Sequence, residues 1–545
     1  MDMNKLFHRG AVYQIYPRSF CDSNGDGIGD IPGIISKLDY LKDLGVKIIW
    51  LSPVYKSPLF DMGYDVADYY SIHPDYGTME DFDRLLEEAK KRDLKIVMDL
   101  VVNHTSDEHE WFIQSKDPKS PYHNFYYWRK GKGEDGMTPP NNWTSQFSGP
   151  AWSYEPSNGL WYLHLFSKKQ PDLDWHNPRV LEEVEKIINF YLDKGVYGFR
   201  CDVINQIYKE SLEDGKGHAA SGCGNEHYLM TEGNHRILAQ IHQDCFESRG
   251  DRVMIGETYN VDIANGNRFL DDHELDMFFQ FDLMGVDKIL FGAFMKKPKT
   301  TKFKNVAFKW QKGVSWNANY LENHDQLRSI PRFGDEKQYW NESGKCLGLF
   351  NLSLRGTPFI YQGQEIGMVN YKNLREPSKS KDCVSWMVWE MVKKFPFPRR
   401  VKLGIISRLD RDHERAPMQW NDGVSAGFSS NPSPWLEVNE SKSFANVEIE
   451  EKDANSILNF YKRMLALREK EEALTLGDFQ EMNTRGNLIA FTRSYNGRTL
   501  TVIINLGKKK IRFPSFCKGK ETLINTYPTA SDEVYLRPYE ALIVA

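Results

Sequence analysis

Residues 198–203 have the sequence Gly-Phe-Arg-Cys-Asp-Val, in which an apolar run takes in Arg200 and ends on Asp202. Acids stand in the same way at the ends of apolar runs in three other segments, residues 99–104, 255–257 and 322–325. Charged residues are rare in strand interiors and in cores, so four such segments in one chain indicate a common cause. They predict a site that is assembled from the ends of parallel strands.

Eight short runs rich in β-branched and aromatic residues predict strands. Several are apolar throughout, which is typical of parallel strands buried on both faces. Helical patterns lie between most of them, for example over residues 79–92 and 178–194. This alternation predicts an α/β protein with a (β/α)8 TIM barrel, whose functional groups lie at the carboxyl ends of the strands. The predicted strands cover residues 12–16, 47–51, 95–101, 198–203, 252–257, 277–281, 316–322 and 357–361.

Two further parts are expected beside the barrel. The segment after the third strand is too long for an ordinary βα loop and is rich in Trp, Pro, Asn and Tyr, so residues 105–174 predict a small inserted domain over the barrel mouth. The period changes from helix to strand near residue 473, and residues 473–545 therefore predict a C-terminal antiparallel β-domain. Residues 1–104 and 175–472 form the predicted barrel. The charged stretch 372–400 predicts an exposed helical excursion after the eighth strand.

Composition limits the partners and the compartment. The 545 residues carry a formal net charge of −5, so we expect no nucleic-acid partner. The seven cysteines are scattered without a C-x-x-C pair, which favours free thiols in a reducing compartment. The chain begins with polar sequence and has no apolar stretch near the roughly 18 residues of a membrane span. We therefore expect a cytoplasmic protein without a membrane partner, and a monomer.

Three of the strand-end acids define a chemistry. Asp202, Glu257 and Asp325 are the carboxylates that a retaining glycosidase needs, one as nucleophile, one as proton donor and one to hold the substrate. An alternative is a buried Arg–Asp structural pair with two incidental acids, which leaves their joint occurrence unexplained. The sequence thus predicts an enzyme that cuts glycosidic bonds.

The four segments, in this order, closely resemble the conserved regions of the α-amylase superfamily of retaining glycosidases. Within it, the chain is similar to the branch of oligo-1,6-glucosidases and α-glucosidases, a similarity that also covers residues 13–20, 170–173 and 416–420. The resemblance implies that Asp202 is the nucleophile and Glu257 the general acid and base, about 5–5.5 Å apart. It implies that Asp325 favours the oxocarbenium-like transition state. Arg200 lies on the same strand face as Asp202 and is expected to keep it ionised.

The resemblance also implies a set of substrate-binding residues. His104 and His324 are expected to donate hydrogen bonds to sugar hydroxyls in the first subsite, unless they are satisfied core histidines. Asp61 and Arg415 are expected at its far edge, and could equally form a salt bridge that closes the pocket and restricts the enzyme to chain ends. Tyr64 and Phe166 are candidate stacking platforms, with core packing as the alternative for Phe166.

Linkage preference depends on Val203, directly after the nucleophile. In the family that the chain resembles, Val here accompanies cleavage of α-1,6 bonds, while Thr or Ala accompanies cleavage of α-1,4 bonds. A branched side chain can fill the space that an α-1,4 acceptor sugar would use, although Val203 could also merely pack its strand. The implied activity is exo-acting hydrolysis of isomaltose and short isomalto-oligosaccharides through a covalent glucosyl-enzyme.

A second site is predicted in residues 22–30, Asp-Ser-Asn-Gly-Asp-Gly-Ile-Gly-Asp, which match the first nine positions of an EF-hand loop. The twelfth position is Gly33 instead of Glu, so the loop is partial. The resemblance implies one structural Ca²⁺, or Mg²⁺, and no organic cofactor; the alternative is a turn that its own Asx hydrogen bonds stabilise. The implied ligands are the side chains of Asp22, Asn24, Asp26 and Asp30 and the carbonyl oxygen of Ile28.

Related activities stay open. A trehalose-6-phosphate hydrolase would also keep Val beside the nucleophile, and a dextran glucosidase would differ only in chain-length preference. A sucrose isomerase would carry Arg-Leu-Asp-Arg-Asp before the third carboxylate; here that string is residues 408–412, after Asp325, and is interpreted as unrelated to isomerisation. A non-catalytic relative, the membrane-anchored subunit of a transporter, would carry a membrane helix and usually lose catalytic acids.

Overall fold

A single sheet of eight parallel strands forms the centre of the molecule. The computed structural model describes residues 5–218, 221–289, 292–372 and 376–545. The strands follow the order β6-β5-β4-β3-β2-β1-β8-β7, so that neighbours in the sequence are neighbours in space. The predicted (β/α)8 barrel is confirmed. The strands are β1 Val12–Ile15, β2 Ile48–Leu51, β3 Lys95–Leu100, β4 Gly198–Cys201, β5 Val253–Glu257, β6 Met277–Phe279, β7 Ala318–Asn319 and β8 Thr357–Tyr361.

Side-chain packing closes the barrel between β6 and β7. Among the described residues, no hydrogen-bonded ladder joins these two strands. Instead, the Phe279 and Tyr320 rings pack edge to face with centroids 5.1 Å apart, and the Tyr320 hydroxyl donates to the Gln280 carbonyl oxygen at 3.0 Å. The predicted strand over 316–322 is correspondingly wrong in length. β7 pairs only with β8, where Asn319 lies opposite Pro358, and proline has no N–H to extend the ladder.

Helices surround the strands, and their ends follow local sequence signals. The helix Pro178–Lys194 begins where the Asn177 side chain accepts the Arg179 N–H at 3.1 Å, and ends at Gly195 with φ of 108°. It agrees with the prediction. The helices are Leu6–Arg9, Ile31–Ser36, Leu38–Leu44, Met79–Lys91, Glu110–Ser115, Pro178–Lys194, Glu232–Cys245, Ile263–Asp271, Thr300–Gly313, Ser329–Phe333, Trp340–Ser353, Cys383–Val392, Arg399–Leu409, Val447–Lys452, Ile457–Lys470 and Glu472–Thr475.

The insertion between β3 and β4 contains a three-stranded antiparallel sheet with its own small core. Its strands are Trp128–Arg129, Trp152–Glu155 and Leu160–Leu163, the last in the middle. An isolated bridge between His104 and Asp172 fastens the end of this insertion to the end of β3. The sheet therefore lies beside the strand ends at which the predicted site is assembled. The domain limits at residues 105 and 174 stay a prediction.

The C-terminal part is a five-stranded antiparallel sheet, as predicted. The alternating pattern over residues 534–544 suggests one strand, but the chain forms two strands there because Tyr539 between them adopts a left-handed φ of 52°. The five strands are Asp478–Glu481, Leu488–Tyr495, Arg498–Asn505, Thr522–Asn525 and Ala541–Val544, with Ile511–Arg512 and Tyr535–Leu536 as a separate pair.

The excursion after β8 is a pair of packed helices. Cys383–Val392 and Arg399–Leu409 share a small apolar core that includes Val388 and Ile406. Residues 373–375 of the predicted excursion lie outside the described residues. In the part of the chain that the structure describes, no helix is both long enough and apolar enough to cross a membrane.

The contact between β4 and β5 gives a test of the barrel. A Cβ atom on Gly198 would lie 1.9 Å from the Val253 carbonyl oxygen, which a paired strand cannot move aside. We expect Gly198→Ala to lower the free energy of unfolding by about 3 kcal/mol or more, measured by denaturant unfolding. Gly285→Ala is the control because nothing lies within 4 Å of its Cβ position. Equal stability of the two variants would contradict the described register.

Candidate active site

A single guanidinium group binds three carboxylates at the ends of three adjacent strands. Arg200 on β4 lies 2.7 Å from Asp99 Oδ1 on β3, 2.7 Å from Asp202 Oδ1 and 2.7 Å from Glu257 Oε1 on β5. Its side chain is 1% exposed. Arg200 and Asp202 are two residues apart and therefore face the same side, as predicted. The predicted nucleophile and the predicted acid thus share one cation, an arrangement compatible with the separation of about 5–5.5 Å in retaining enzymes.

Burial and the excess of negative charge in this cluster raise the pKa of two of its carboxyl groups. Burial raises the pKa of Asp202 well above its ordinary value; Arg200 opposes this shift, and the charges of Glu257 and Asp99 add to it. Burial also raises the pKa of Asp99, with Arg200 opposing. Two buried carboxyls beside one cation cannot both ionise freely, so they titrate as a pair. Arg200 is thus the group that favours the ionised form of Asp202 against burial and like charge.

Val203 links the two carboxyl-bearing residues through its main chain. Its φ of 40° and ψ of 38° are left-handed, an unusual conformation for a β-branched residue. In this conformation the Val203 N–H donates to Glu257 Oε2 at 3.1 Å. Both oxygens of Glu257 therefore have a donor, Arg200 on one side and Val203 on the other. The Val203 side chain lines the cavity beside Asp202.

Asp325 has a different electrostatic environment. Its Oδ1 accepts from Arg415 at 2.8 Å and from Arg411 at 3.2 Å, and its Oδ2 lies 3.2 Å from His324 Nε2. Burial would raise the pKa of this carboxyl, but His324, Arg411 and Arg415 together hold it well below its ordinary value. Asp325 is therefore an anion at neutral pH, and its side chain is 29% exposed toward the cavity.

His324 lies behind the cavity wall. Gln14 contacts its Nδ1 at 2.8 Å, and the Tyr64 hydroxyl contacts its Nε2 at 2.7 Å. The Tyr64 and His324 rings stack with centroids 5.2 Å apart. His324 Nε2 therefore lies between the Tyr64 hydroxyl at 2.7 Å and Asp325 Oδ2 at 3.2 Å. His324 thus orients Asp325 and Tyr64, and its predicted hydrogen bond to a sugar hydroxyl stays a prediction.

His104 lines the cavity, but protein groups contact both of its ring nitrogens. Asn103 approaches Nδ1 at 3.1 Å, and the Tyr64 carbonyl oxygen lies 3.0 Å from Nε2. Burial lowers the pKa of His104, so the ring is neutral at pH 7. The Phe166 ring lies 5.2 Å from the imidazole and forms the neighbouring wall.

The salt bridge considered as an alternative for Asp61 and Arg415 does not form between these two residues. Asp61 forms its ion pair with Arg411, at 2.7 Å, and not with Arg415. Arg415 is fully buried; it donates to Asp325 and, through Nε, to the His324 carbonyl oxygen at 3.0 Å. The reason is position: Arg415 is held against the segment of His324 and Asp325, whereas Arg411 extends to Asp61. The Asp61–Arg411 pair closes one side of the cavity.

Most of the predicted site residues line the cavity, together with several residues that were not predicted. Arg200, His324 and Arg415 lie behind its wall and act through the side chains that they contact. Two of the residues that sequence reasoning missed had a signal: Gln170 belongs to a motif quoted for the family resemblance, and Arg411 to the string 408–412. The lining residues are Asp61, Tyr64, His104, Gln146, Phe147, Phe166, Gln170, Asp202, Val203, Gln206, Glu257, Tyr259, Phe281, Asp325 and Arg411.

The predicted metal loop forms a chain of Asx turns. Asp22 Oδ1 accepts the N–H groups of Asn24 and Gly25 at 3.0 and 2.7 Å, and Asp26 Oδ1 accepts that of Ile28 at 2.8 Å. Asp30 accepts from Ser23 and Gly33, and caps the helix that follows. Among the described residues, no group of three or more His, Cys, Asp or Glu side chains converges as a metal site. The oxygen donors suit Ca²⁺ chemically, but most already accept backbone N–H groups.

Comparisons with known proteins agree with this geometry. The sequence matches the alpha-amylase catalytic domain over residues 14–477. An oligo-1,6-glucosidase of Parageobacillus thermoglucosidasius is 44% identical over 565 residues, covering 99% of this chain and 99% of that protein. The solved structure of isomaltulose synthase from Klebsiella sp. LX3 has a TM-score of 0.93 at 37% identity, with 99% of each chain covered. That of trehalose-6-phosphate hydrolase from Bacillus licheniformis has a TM-score of 0.92, also at 37% identity with 99% of each chain covered. The chain belongs to the alpha-amylase family.

Proposed function

We propose that this protein is a retaining, exo-acting α-glucosidase that releases glucose from the non-reducing end of isomaltose and short isomalto-oligosaccharides. The observation that carries the proposal is the binding of Asp202 and Glu257 by one buried guanidinium at the cavity wall. Such a pair can act as nucleophile and proton donor on opposite sides of one glycosidic bond. The Asp61–Arg411 pair supports exo-action because it lines the cavity and would stop a longer chain from passing through it.

The reaction proceeds in two displacements. In the first, an oxygen of ionised Asp202 attacks the anomeric carbon, the bond from this carbon to the glycosidic oxygen breaks, and Glu257 gives its proton to the leaving oxygen. In the second, Glu257 takes a proton from water, the water oxygen attacks the same carbon, and the ester bond to Asp202 breaks. Glucose leaves with its configuration retained, and both carboxyl groups return to their starting states.

Asp325 stabilises positive charge on the sugar ring in both transition states. Its low pKa keeps it ionised beside the reacting carbon, where the oxocarbenium-like charge develops. We infer that Tyr64 and Phe166 offer flat apolar faces to the sugar, and that Asp61, His104 and Arg411 bind its hydroxyls. Arg200 holds the nucleophile and the acid in fixed positions, so little reorganisation is needed during the reaction.

Two observations support a preference for α-1,6 bonds: the names of similar proteins and the position of the Val203 side chain. Several relatives 40–44% identical over nearly the whole chain carry the name oligo-1,6-glucosidase. The branched Val203 side chain lies beside the nucleophile, where an acceptor sugar would enter. An α-1,6 link carries one more rotatable bond than an α-1,4 link, which lets the acceptor sugar pass around this side chain. Trehalose 6-phosphate and sucrose are the substrates of the competing proposals.

We further propose a cytoplasmic, monomeric enzyme with one structural Ca²⁺, or Mg²⁺, in the loop at residues 22–30. The scattered cysteines support the compartment, because all seven are buried thiols that a reducing environment preserves. Alternating oxygen donors support the metal, whose ligands would be Asp22, Asn24, Asp26, Asp30 and the carbonyl oxygen of Ile28. The metal would stiffen the loop and takes no part in the chemical steps.

Glucose release from isomaltose and maltose, measured side by side as kcat/KM, tests the activity. We expect isomaltose to be preferred and expect Asp202→Ala to lose activity on both, because the nucleophile is gone. A preference for maltose would contradict the linkage proposal and keep the mechanism. Activity only on trehalose 6-phosphate or sucrose, or an unimpaired Asp202→Ala, would contradict the proposed function.

The linkage argument is tested by Val203→Thr. Exchanging a methyl for a hydroxyl next to the nucleophile should raise the maltose/isomaltose ratio of kcat/KM by about tenfold, since one such pocket contact is worth about 1–3 kcal/mol. Val261→Thr is a matched control, because Val261 comes after strand β5, which ends on Glu257, and does not line the cavity. An equal ratio in both variants would remove Val203 from the specificity argument.

Metal removal tests the loop. We expect purified protein to contain one equivalent of Ca²⁺ or Mg²⁺ by elemental analysis, and EDTA to lower the free energy of unfolding by about 2–3 kcal/mol. Asp26→Asn should reduce the effect of EDTA, because it removes one carboxylate ligand. Metal-free protein with the same melting temperature in EDTA would show that the Asx hydrogen bonds stabilise the loop alone.

A further inference from the structure

Arg411 is shared by three carboxylates. Its Nη2 lies 2.7 Å from Asp61 Oδ1 and 2.6 Å from Asp382 Oδ1, and its Nη1 lies 3.2 Å from Asp325 Oδ1. Asp61 and Asp325 line the cavity, whereas Asp382 does not. The guanidinium thus stands between two groups that can touch a sugar and one that cannot.

Asp382 makes the largest number of contacts with this arginine. Its Oδ1 accepts from Arg411 Nε at 2.9 Å as well as from Nη2, and its Oδ2 accepts the Arg411 backbone N–H at 3.2 Å. Asp382 is 0% exposed. It also caps the helix Cys383–Val392 by accepting the Val384 N–H at 3.1 Å. The next residue, Cys383, donates from Sγ to Asp61 Oδ1 at 3.4 Å.

We propose that Asp382 is a positioning residue for the sugar-binding end of the cavity: it fixes Arg411, and through Arg411 the carboxylates of Asp61 and Asp325. This inference rests on the proposed function. Two bonds to Asp382 Oδ1 fix the direction of the guanidinium, and the bond to Asp382 Oδ2 fixes the backbone that carries it. Arg411 can therefore present a donor to each cavity carboxylate without moving onto either. The helix pair Cys383–Val392 and Arg399–Leu409 is thereby coupled to substrate binding through its two ends.

Charge balance predicts what happens without Asp382. Arg411 would keep Asp61 and Asp325 as carboxylate partners, so its buried charge stays paired and the fold should survive. Arg411 would move toward these two carboxylates and compete with sugar hydroxyls for their oxygens. Substrate binding should weaken, while the nucleophile and acid on Arg200 remain in place. A merely structural Asp382 would instead affect stability alone.

Asp382→Asn separates these two roles, because Asn caps a helix about as well as Asp but lacks the charge. Binding of 1-deoxynojirimycin, a cationic glucose mimic, is measured by calorimetry together with KM and kcat on isomaltose. We expect both the dissociation constant and KM to rise by about tenfold, with kcat changed less than about threefold, since the misplaced groups bind sugar and do not react. Asp382→Glu keeps the charge but displaces it along the longer side chain, so its dissociation constant should rise by about threefold, less than that of the Asn variant.

Asp276→Asn is the matched control. Asp276 is a buried acid that pairs with Lys5 at 3.0 Å and accepts the Met254 N–H, at the amino end of β6 and away from the cavity. The Asp276→Asn substitution should lower the melting temperature without changing the dissociation constant for 1-deoxynojirimycin. Unchanged binding in Asp382→Asn, or equal binding losses in the Asn and Glu variants, would overturn the inference.

Failure of the proposed function gives a different result. Parent protein that neither binds the inhibitor nor hydrolyses isomaltose would refute the α-glucosidase assignment itself. Parent protein that does both, with an Asp382→Asn variant of equal affinity, would refute only the positioning role. If Asp382→Asn does not fold, Asp382→Glu decides: a raised dissociation constant with kcat retained supports the role, and parent-like binding overturns it.

Discussion

The buried guanidinium of Arg200 is the interaction on which the active site depends. It is a cation without access to water, and it can stay buried only because three carboxylates contact it. In return it keeps three acids within a few ångströms of one another, which their mutual repulsion would otherwise prevent. The register of the sheet makes the contact possible, because Asp99 on β3 lies directly opposite Arg200 on β4. A shift by one residue would turn these side chains to the other face of the sheet.

The carboxylates of the cavity differ in role because their surroundings differ. Asp202 and Glu257 share one cation with Asp99, and burial and like charge raise the pKa of Asp202. Asp325 has two arginines and a histidine, so it stays ionised. These different surroundings support the proposed roles of the three acids as proton donor, nucleophile and fixed anion. The chemistry follows from the distribution of cations more than from the acids themselves.

The second cationic centre, Arg411, connects remote parts of the chain. It joins Asp61, after β2, to Asp325, after β7, and to the helix pair after β8. From sequence, the string 408–412 that contains it is interpreted as unrelated to sucrose isomerisation, and the structure places its arginine in the cavity wall. Its relation to sucrose isomerisation stays a prediction. Its location shows that the segment between β8 and the last barrel helix belongs to the active site.

The sequence by itself determined the barrel, the C-terminal sheet and the positions of Asp202 and Glu257 at strand ends, whereas Asp325 lies in the loop after β7. These are local properties, since hydrophobic period and strand-end acids are written in consecutive residues. Only the tertiary structure decided that Asp61 pairs with Arg411, 350 residues away, and that His324 lies behind the cavity wall. It also decided that β7 ends at Asn319, opposite Pro358 of β8. Such contacts depend on how loops and strands pack against one another, and neither periodicity nor spacing along the chain contains that information.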